Sequence, residues 1–185
     1  YWTGSANQGT AIVGTVSGTA ISFGTAAAMA SSVPTWLSIV YDANAQKVVV
    51  SYRDAGNSDY GTSIVGTVSG TSISFGTEVV FNSGESSKIS TAYDSSNNKV
   101  VITCMDDDNL GRGTSVVGTV SGTSISFGTN VVFSPARASM ISSAFDTTAN
   151  KVVINYQDSN NSDNGTSIVG TVSGTSISFG TAAVF

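Results

Sequence analysis

The sequence has 185 residues, enough for one domain with a substantial core; 40% are hydrophobic and only 10% charged, less than half the usual charged share of ~25%. A net charge of −5 with only seven Lys and Arg excludes the basic footprint that nucleic acid requires. The absence of histidine and the lone Cys104 exclude an internal disulfide, a cysteine-based zinc site and a His-activated nucleophile, and no stretch reaches the ~18 apolar residues of a membrane span.

Taken in chain order, residues 1–29 read as the back half of a repeat, followed by full units at 30–81, 82–133 and 134–185, all within one repeat domain spanning 1–185. The segment 66–77 recurs unchanged at 118–129 and 170–181, and at 14–25 with Ala20 in place of Ser. Phe23, Phe75, Phe127 and Phe179 mark a 52-residue step without insertion or deletion. Asp42, Asp94 and Asp146, and then Lys47, Lys99 and Lys151, keep the same step.

Unit 82–133 predicts four strands. Lys88–Asp94 alternates, with Ile89, Thr91 and Tyr93 on one face and Ser90 and Ala92 on the other. Residues 95–98 (Ser-Ser-Asn-Asn) have turn chemistry, because short polar side chains bond the local backbone. Lys99–Met105 is apolar on both faces at Val100, Val101 and Ile102, as for a strand covered on both sides. A polar loop, Asp106–Arg112, leads to a third strand at Gly113–Val120. A two-residue connection at Ser121-Gly122 then leads to a fourth, Thr123–Phe133, with Ile125, Phe127, Thr129, Val131 and Phe133 on one face. The content is β-branched and glycine-punctuated, with no helical period.

A four-strand antiparallel meander that is apolar on both faces must be covered on both, and radial stacking of such sheets does this. The expected fold is therefore all-β, a β-propeller of four-stranded antiparallel blades, with three full blades and a half blade in this chain. The run Ile89-Ser-Thr-Ala-Tyr-Asp94, a polar turn and then Lys99-Val-Val-Ile-Thr103 resembles the first hairpin of propeller blades of the YVTN and NHL type. That resemblance covers about twenty residues per unit, by polarity pattern, and implies blade topology alone. Near-identical repeats of this kind also resemble those of phage tail and environmental surface proteins. Three and a half blades fall below the four to eight of a closed ring. The expectation is assembly with another copy or membership of a longer propeller chain, with linear stacking as the alternative.

The most polar segments link the second and third strands and supply the candidate binding residues. These are Asp54, Asn57, Asp59 and Tyr60, then Asp106, Asn109 and Arg112, then Asp158, Asn161 and Asp163. Asx-turns account for them; calcium, which takes six to eight oxygens, is the alternative for Asn57 with Asp59 and Asn161 with Asp163. No metal site or other cofactor is otherwise expected. Asp42, Asp94 and Asp146 are read as carboxylates accepting turn N–H groups, and Cys104 as a buried, inert thiol in the place of Tyr52 and Tyr156. The units differ at Trp36/Lys88/Met140, Arg53/Met105/Gln157 and Tyr60/Arg112/Asn164, positions expected to be exposed. With no catalytic constellation, the expected function is a non-catalytic structural or interaction module of an extracellular or virion protein. It would assemble through its open blade edges, without nucleic acid or membrane insertion. The alternative is a glycan-binding, lectin-like propeller that uses the polar loops.

Overall fold

The computed structural model describes residues 8–185. Residues 1–7, which include Trp2 and the start of the expected half unit, lie outside the described residues. The protein is all-β and antiparallel. The half unit forms β1 (Gly9–Ala11), β2 (Gly14–Ser17), β3 (Ala20–Phe23) and β4 (Ala27–Ala30). The next unit forms β5 (Pro34–Asp42), β6 (Lys47–Asp54), β7 (Tyr60–Ser69) and β8 (Ser72–Phe75). It is followed by β9 (Val79–Asp94), β10 (Lys99–Asp106), β11 (Arg112–Ser121) and β12 (Ser124–Phe127). The last copy comprises β13 (Val131–Asp146), β14 (Lys151–Asp158), β15 (Asn164–Ser173), β16 (Ser176–Phe179) and β17 (Ala183–Val184).

Within each full unit the first strand pairs with the second, the second with the third, and the third with the returning fourth. β5 to β17 form one continuous hydrogen-bonded network, and its strand order runs openly from β16 to β5. Continuity comes from β9 and β13. The start of β9 pairs with β7 and its end with β10, so one strand closes one unit and opens the next. β13 does the same between β11 and β14. The boundaries placed at 81/82 and 133/134 thus fall inside unbroken strands.

The predicted fourth strand, Thr123–Phe133, is not continuous. β12 stops at Phe127 and pairing resumes at Val131. Gly118 opposes Phe127 while Ser115 opposes Val131, so three steps on β11 meet four on the return. One extra residue reverses the side-chain alternation, as in a bulge. Ile125 and Phe127 therefore pack toward the preceding unit, and Val131 and Phe133 toward the following one, rather than all on one face. The two-residue turn is also displaced by one: Ser121 pairs with Ser124, leaving Gly122-Thr123 as the loop. Gly122 alone there has positive φ, at 61°, the type II′ requirement that glycine meets without strain.

A second bulge explains Trp36, Lys88 and Met140. Thr103 opposes Ser90 while Met105 opposes Ser87, so β9 carries the extra residue. The three side chains sit at φ 51°, 53° and 53°, in the left-handed region. Trp36 and Met140 are exposed, as expected of variable positions, and the Lys88 Nζ lies 3.7 Å from the Trp36 ring centroid. Met105 departs from that expectation: it is only 3% exposed, because its strand is covered on both faces, whereas Arg53 and Gln157 are half-buried.

The core lies between units. Val100, Ile102, Cys104, Val116 and Ile125 face back onto Val49, Val65 and Phe81 of the preceding copy. Val101, Val117 and Phe133 face forward onto Val152, Ile154, Tyr156 and Ile168 of the next. Adjacent odd and even positions of one strand, Val100 and Val101, thus serve two different cores, which is why the second strand is apolar throughout. A smaller cluster joins Met29 and Ala30 of the half unit to Val50, Tyr52 and Ile64. First hairpins of neighbouring units also touch through polar groups. The Ser90 Oγ accepts from the Ser143 N–H at 2.9 Å, and the Asn44 N–H donates to the Tyr93 hydroxyl at 3.2 Å.

Candidate functional site

The three aspartates before the first hairpin turn do what the sequence predicts. Asp42 accepts from the Ala45 N–H (2.9 Å), Asp94 from Ser96 and Asn97 (2.9 and 3.0 Å), and Asp146 from Thr148 and Ala149 (2.8 and 3.0 Å). These bonds hold the Asp146 carboxyl below the usual carboxylate range.

In the first candidate loop, Asp54 is 6% exposed, and its Oδ1 accepts from the Gly56 N–H (2.9 Å) and the Ser32 hydroxyl. Asn57 is exposed, and its N–H closes the turn onto the Asp54 carbonyl at 3.0 Å. Asp59 pairs with the Arg53 guanidinium at 2.8 Å, and Glu85 reaches the same nitrogen at 3.0 Å. The hydrogen bond from Arg53 holds the Asp59 carboxyl below its ordinary value. Tyr60 is half-buried and pairs with Asp54 and Glu85 in the sheet.

The middle loop folds as a short 3-10 turn at Asp107–Asn109. Asp106 is 9% exposed, and burial raises its carboxyl above the usual carboxylate range. Its Oδ1 has no partner. The repeat explains this: Gly84 stands where the preceding unit has Ser32, so the hydroxyl that reaches Asp54 has no counterpart here. Asp107 accepts from the Ser87 hydroxyl at 2.7 Å and Asp108 from the Glu85 N–H at 3.0 Å. Arg112 donates to the Asn109 side chain (3.3 Å) and the Pro135 carbonyl (3.2 Å). In the last loop Asp158 accepts from the Asn160 N–H at 3.0 Å, and the N–H of exposed Asp163 returns to the Asp158 carbonyl at 3.0 Å. Asn161 is half-buried in the second 3-10 turn, at Ser159–Asn161.

Each candidate set thus sits in its own loop, with much of its polar capacity directed at the local backbone and at the strand beside it. Among the described residues no cluster of three or more acidic or cysteine side chains is placed to hold a metal ion. The Cys104 thiol is fully buried, and burial pushes it up to about 12, where no useful thiolate forms at neutral pH.

One polar contact escaped the sequence reading. The buried Tyr52 hydroxyl donates to the Glu78 carboxylate at 2.5 Å, and burial followed by Glu78 pushes the phenol far above its usual range. Glu78, Asp54, Asn57 and Thr62 line a polar cleft of about 360 Å³. The signal lay in the differences between copies: Glu78 becomes Asn130 and Ala182, and Tyr52 becomes Cys104 and then Tyr156. Compared with protein-family models, curated proteins and solved structures, the chain finds no match, so its function is read from its own residues.

Proposed function

We propose that this chain is a non-catalytic structural and interaction module of propeller type, from an extracellular or virion protein, whose units stack about an axis and which assembles through its end faces. One observation carries the reading: a face that is buried between units is bare at the ends. Ile89 and Thr91 are 8% and 9% exposed, whereas their counterparts Leu37 and Ile39 are 53% and 66% exposed. At the other end Phe133 is 5% exposed and its counterpart Phe185 78%. Apolar surface left uncovered on this scale marks an interaction site. The buried thiol and the self-bonded loops support a non-catalytic role. Size-exclusion chromatography with light scattering tests the proposal. An oligomer is expected, and a stable 18.7 kDa monomer at micromolar concentration would overturn it.

A further inference from the structure

The polar cleft of the first full unit owes its shape to side chains that the following copy does not repeat. In that copy Asn82 and Asn130 stand where this unit has Ala30 and Glu78, and the Asn130 amide donates to the Asn82 side-chain carbonyl at 2.9 Å. Ala30 offers no such partner, and Glu78 instead accepts from the Tyr52 hydroxyl at 2.5 Å, where the following copy has Cys104. Ala30 and Glu78 line one hollow, which adjoins the cleft along Ser31 and Glu78. A closed amide bridge in one copy is thus an open space beside a carboxylate in the other.

Asp54 and Glu78 both line the cleft, and none of its lining residues is basic. Each carboxylate is fixed through one oxygen. Asp54 Oδ1 accepts from the Ser32 hydroxyl at 2.5 Å and the Gly56 N–H at 2.9 Å, and Glu78 Oε1 accepts from Tyr52. Among the described residues no hydrogen bond reaches Asp54 Oδ2 or Glu78 Oε2, and neither oxygen is sealed from solvent. The same chain shows how such a pair is met. Arg53 Nη2 lies 2.8 Å from Asp59 and 3.0 Å from Glu85, so one guanidinium joins an aspartate of this loop to a glutamate of the returning chain. Asp54 and Glu78 present the same two acids from the same loop and the same return, without a guanidinium between them.

We infer that this cleft is a binding site for an arginine side chain of a partner protein, whose guanidinium donates to the free oxygens of Asp54 and Glu78. Charge complementarity selects the ligand: two pre-positioned carboxylates with no cation of their own favour a group that brings both positive charge and several N–H donors. Size agrees, since about 360 Å³ admits the guanidinium together with its aliphatic stem, which can lie along the 39%-exposed Val80. A bare ion would leave most of that space unfilled, and calcium takes six to eight oxygens, whereas no group of three acids is placed to hold a metal among the described residues. A neutral saccharide would leave both charges uncompensated. The site goes beyond assembly through the end faces and stands whether or not that assembly occurs.

The test titrates N-acetyl-arginine methylamide into the full chain and follows backbone amide shifts by NMR. Saturable shifts confined to Gly56, Asn57, Thr62 and Glu78 are expected, with Kd about 1 mM or tighter. The lysine analogue should bind at least about threefold more weakly, because its ammonium cannot pair bidentately. Glu78→Gln keeps the shape and removes a charge, and should weaken binding by more than about fivefold. A second variant, A30N/E78N, rebuilds the asparagine pair that the following copy already carries, so it tests the cleft in a side-chain arrangement this fold accepts; it should abolish the shifts while the melting temperature is kept. No saturable shift up to about 50 mM of the arginine amide, equal binding by Glu78→Gln or A30N/E78N, or tighter binding of calcium or methyl glucoside at the same amides overturns the inference.

Discussion

Phe81, Phe133 and Phe185 are one position of the repeat in different surroundings, and so they form an internal experiment. Phe133 is 5% exposed, meets Tyr156 edge-on at 5.2 Å between ring centroids and Phe179 at 5.8 Å. Its ring also lies against bare backbone: a Cβ at Gly113 would fall 2.5 Å from it. Removing a ring buried in this way costs about 3–5 kcal/mol, the transfer term plus the cavity. In a chain of this size each kcal/mol lowers Tm by about 2–4 °C, so Phe133→Ala should lose roughly 6–20 °C. Phe185 lies over Gly165 in the same manner but is 78% exposed, and Phe185→Ala should cost less than about 1 kcal/mol in the isolated chain. Differential scanning calorimetry of both variants at low protein concentration decides the matter. Equal losses for Phe133→Ala and Phe185→Ala would refute the claim that stability resides between units.

Further outcomes follow from single residues. Cys104 should not react with a water-soluble disulfide reagent until the chain is unfolded, because its thiol is buried and held at about 12; ready labelling of the native chain would contradict the packing. Two aspartates should act oppositely on the pH dependence of stability. Asp106 is raised by burial, so the fold binds its proton more tightly than the unfolded chain does, and its contribution is lost as pH rises through the folded value. Asp59 is lowered by Arg53, so its contribution exists above the unfolded value and is lost as pH falls through the folded one. Urea midpoints at pH 4 and pH 7 should therefore show Asp106→Asn gaining, and Asp59→Asn losing, relative to the parent as pH rises. Met140→Gly should stabilise by up to about 1 kcal/mol, since a side chain that is 78% exposed at φ 53° contributes little packing and occupies a strained backbone region; a lowered urea midpoint would oppose this.

The repeat and the two-sided second strand were legible in the sequence, because alternation and exact recurrence survive as residue type. Val100 and Val101 reveal by apolarity alone that both faces are covered. The face reversal between Phe127 and Val131 was not legible. A bulge inserts one residue without changing the apolar spacing, and Gly128-Thr129-Asn130 reads equally well as continuing strand. The positive φ at Lys88 was hidden for the same reason, since neither Trp, Lys nor Met advertises a left-handed backbone. Of the candidate loops, composition revealed the turns around Asp54 and Asp158, but not the ion pair of Asp59 with Arg53 or the bond of Tyr52 to Glu78. Those depend on which strands lie side by side.

The two sixteen-residue strands, Val79–Asp94 and Val131–Asp146, have a mechanical consequence. A joint made of flexible linker lets its modules swing; here the joint is itself a rung of both ladders. Swinging one module against the next would strain a strand that is hydrogen-bonded into both, so thermal motion should change the angle between them less than a linker would allow. Any longer array of this unit would inherit its curvature from that single stiff crossing, copied at every step.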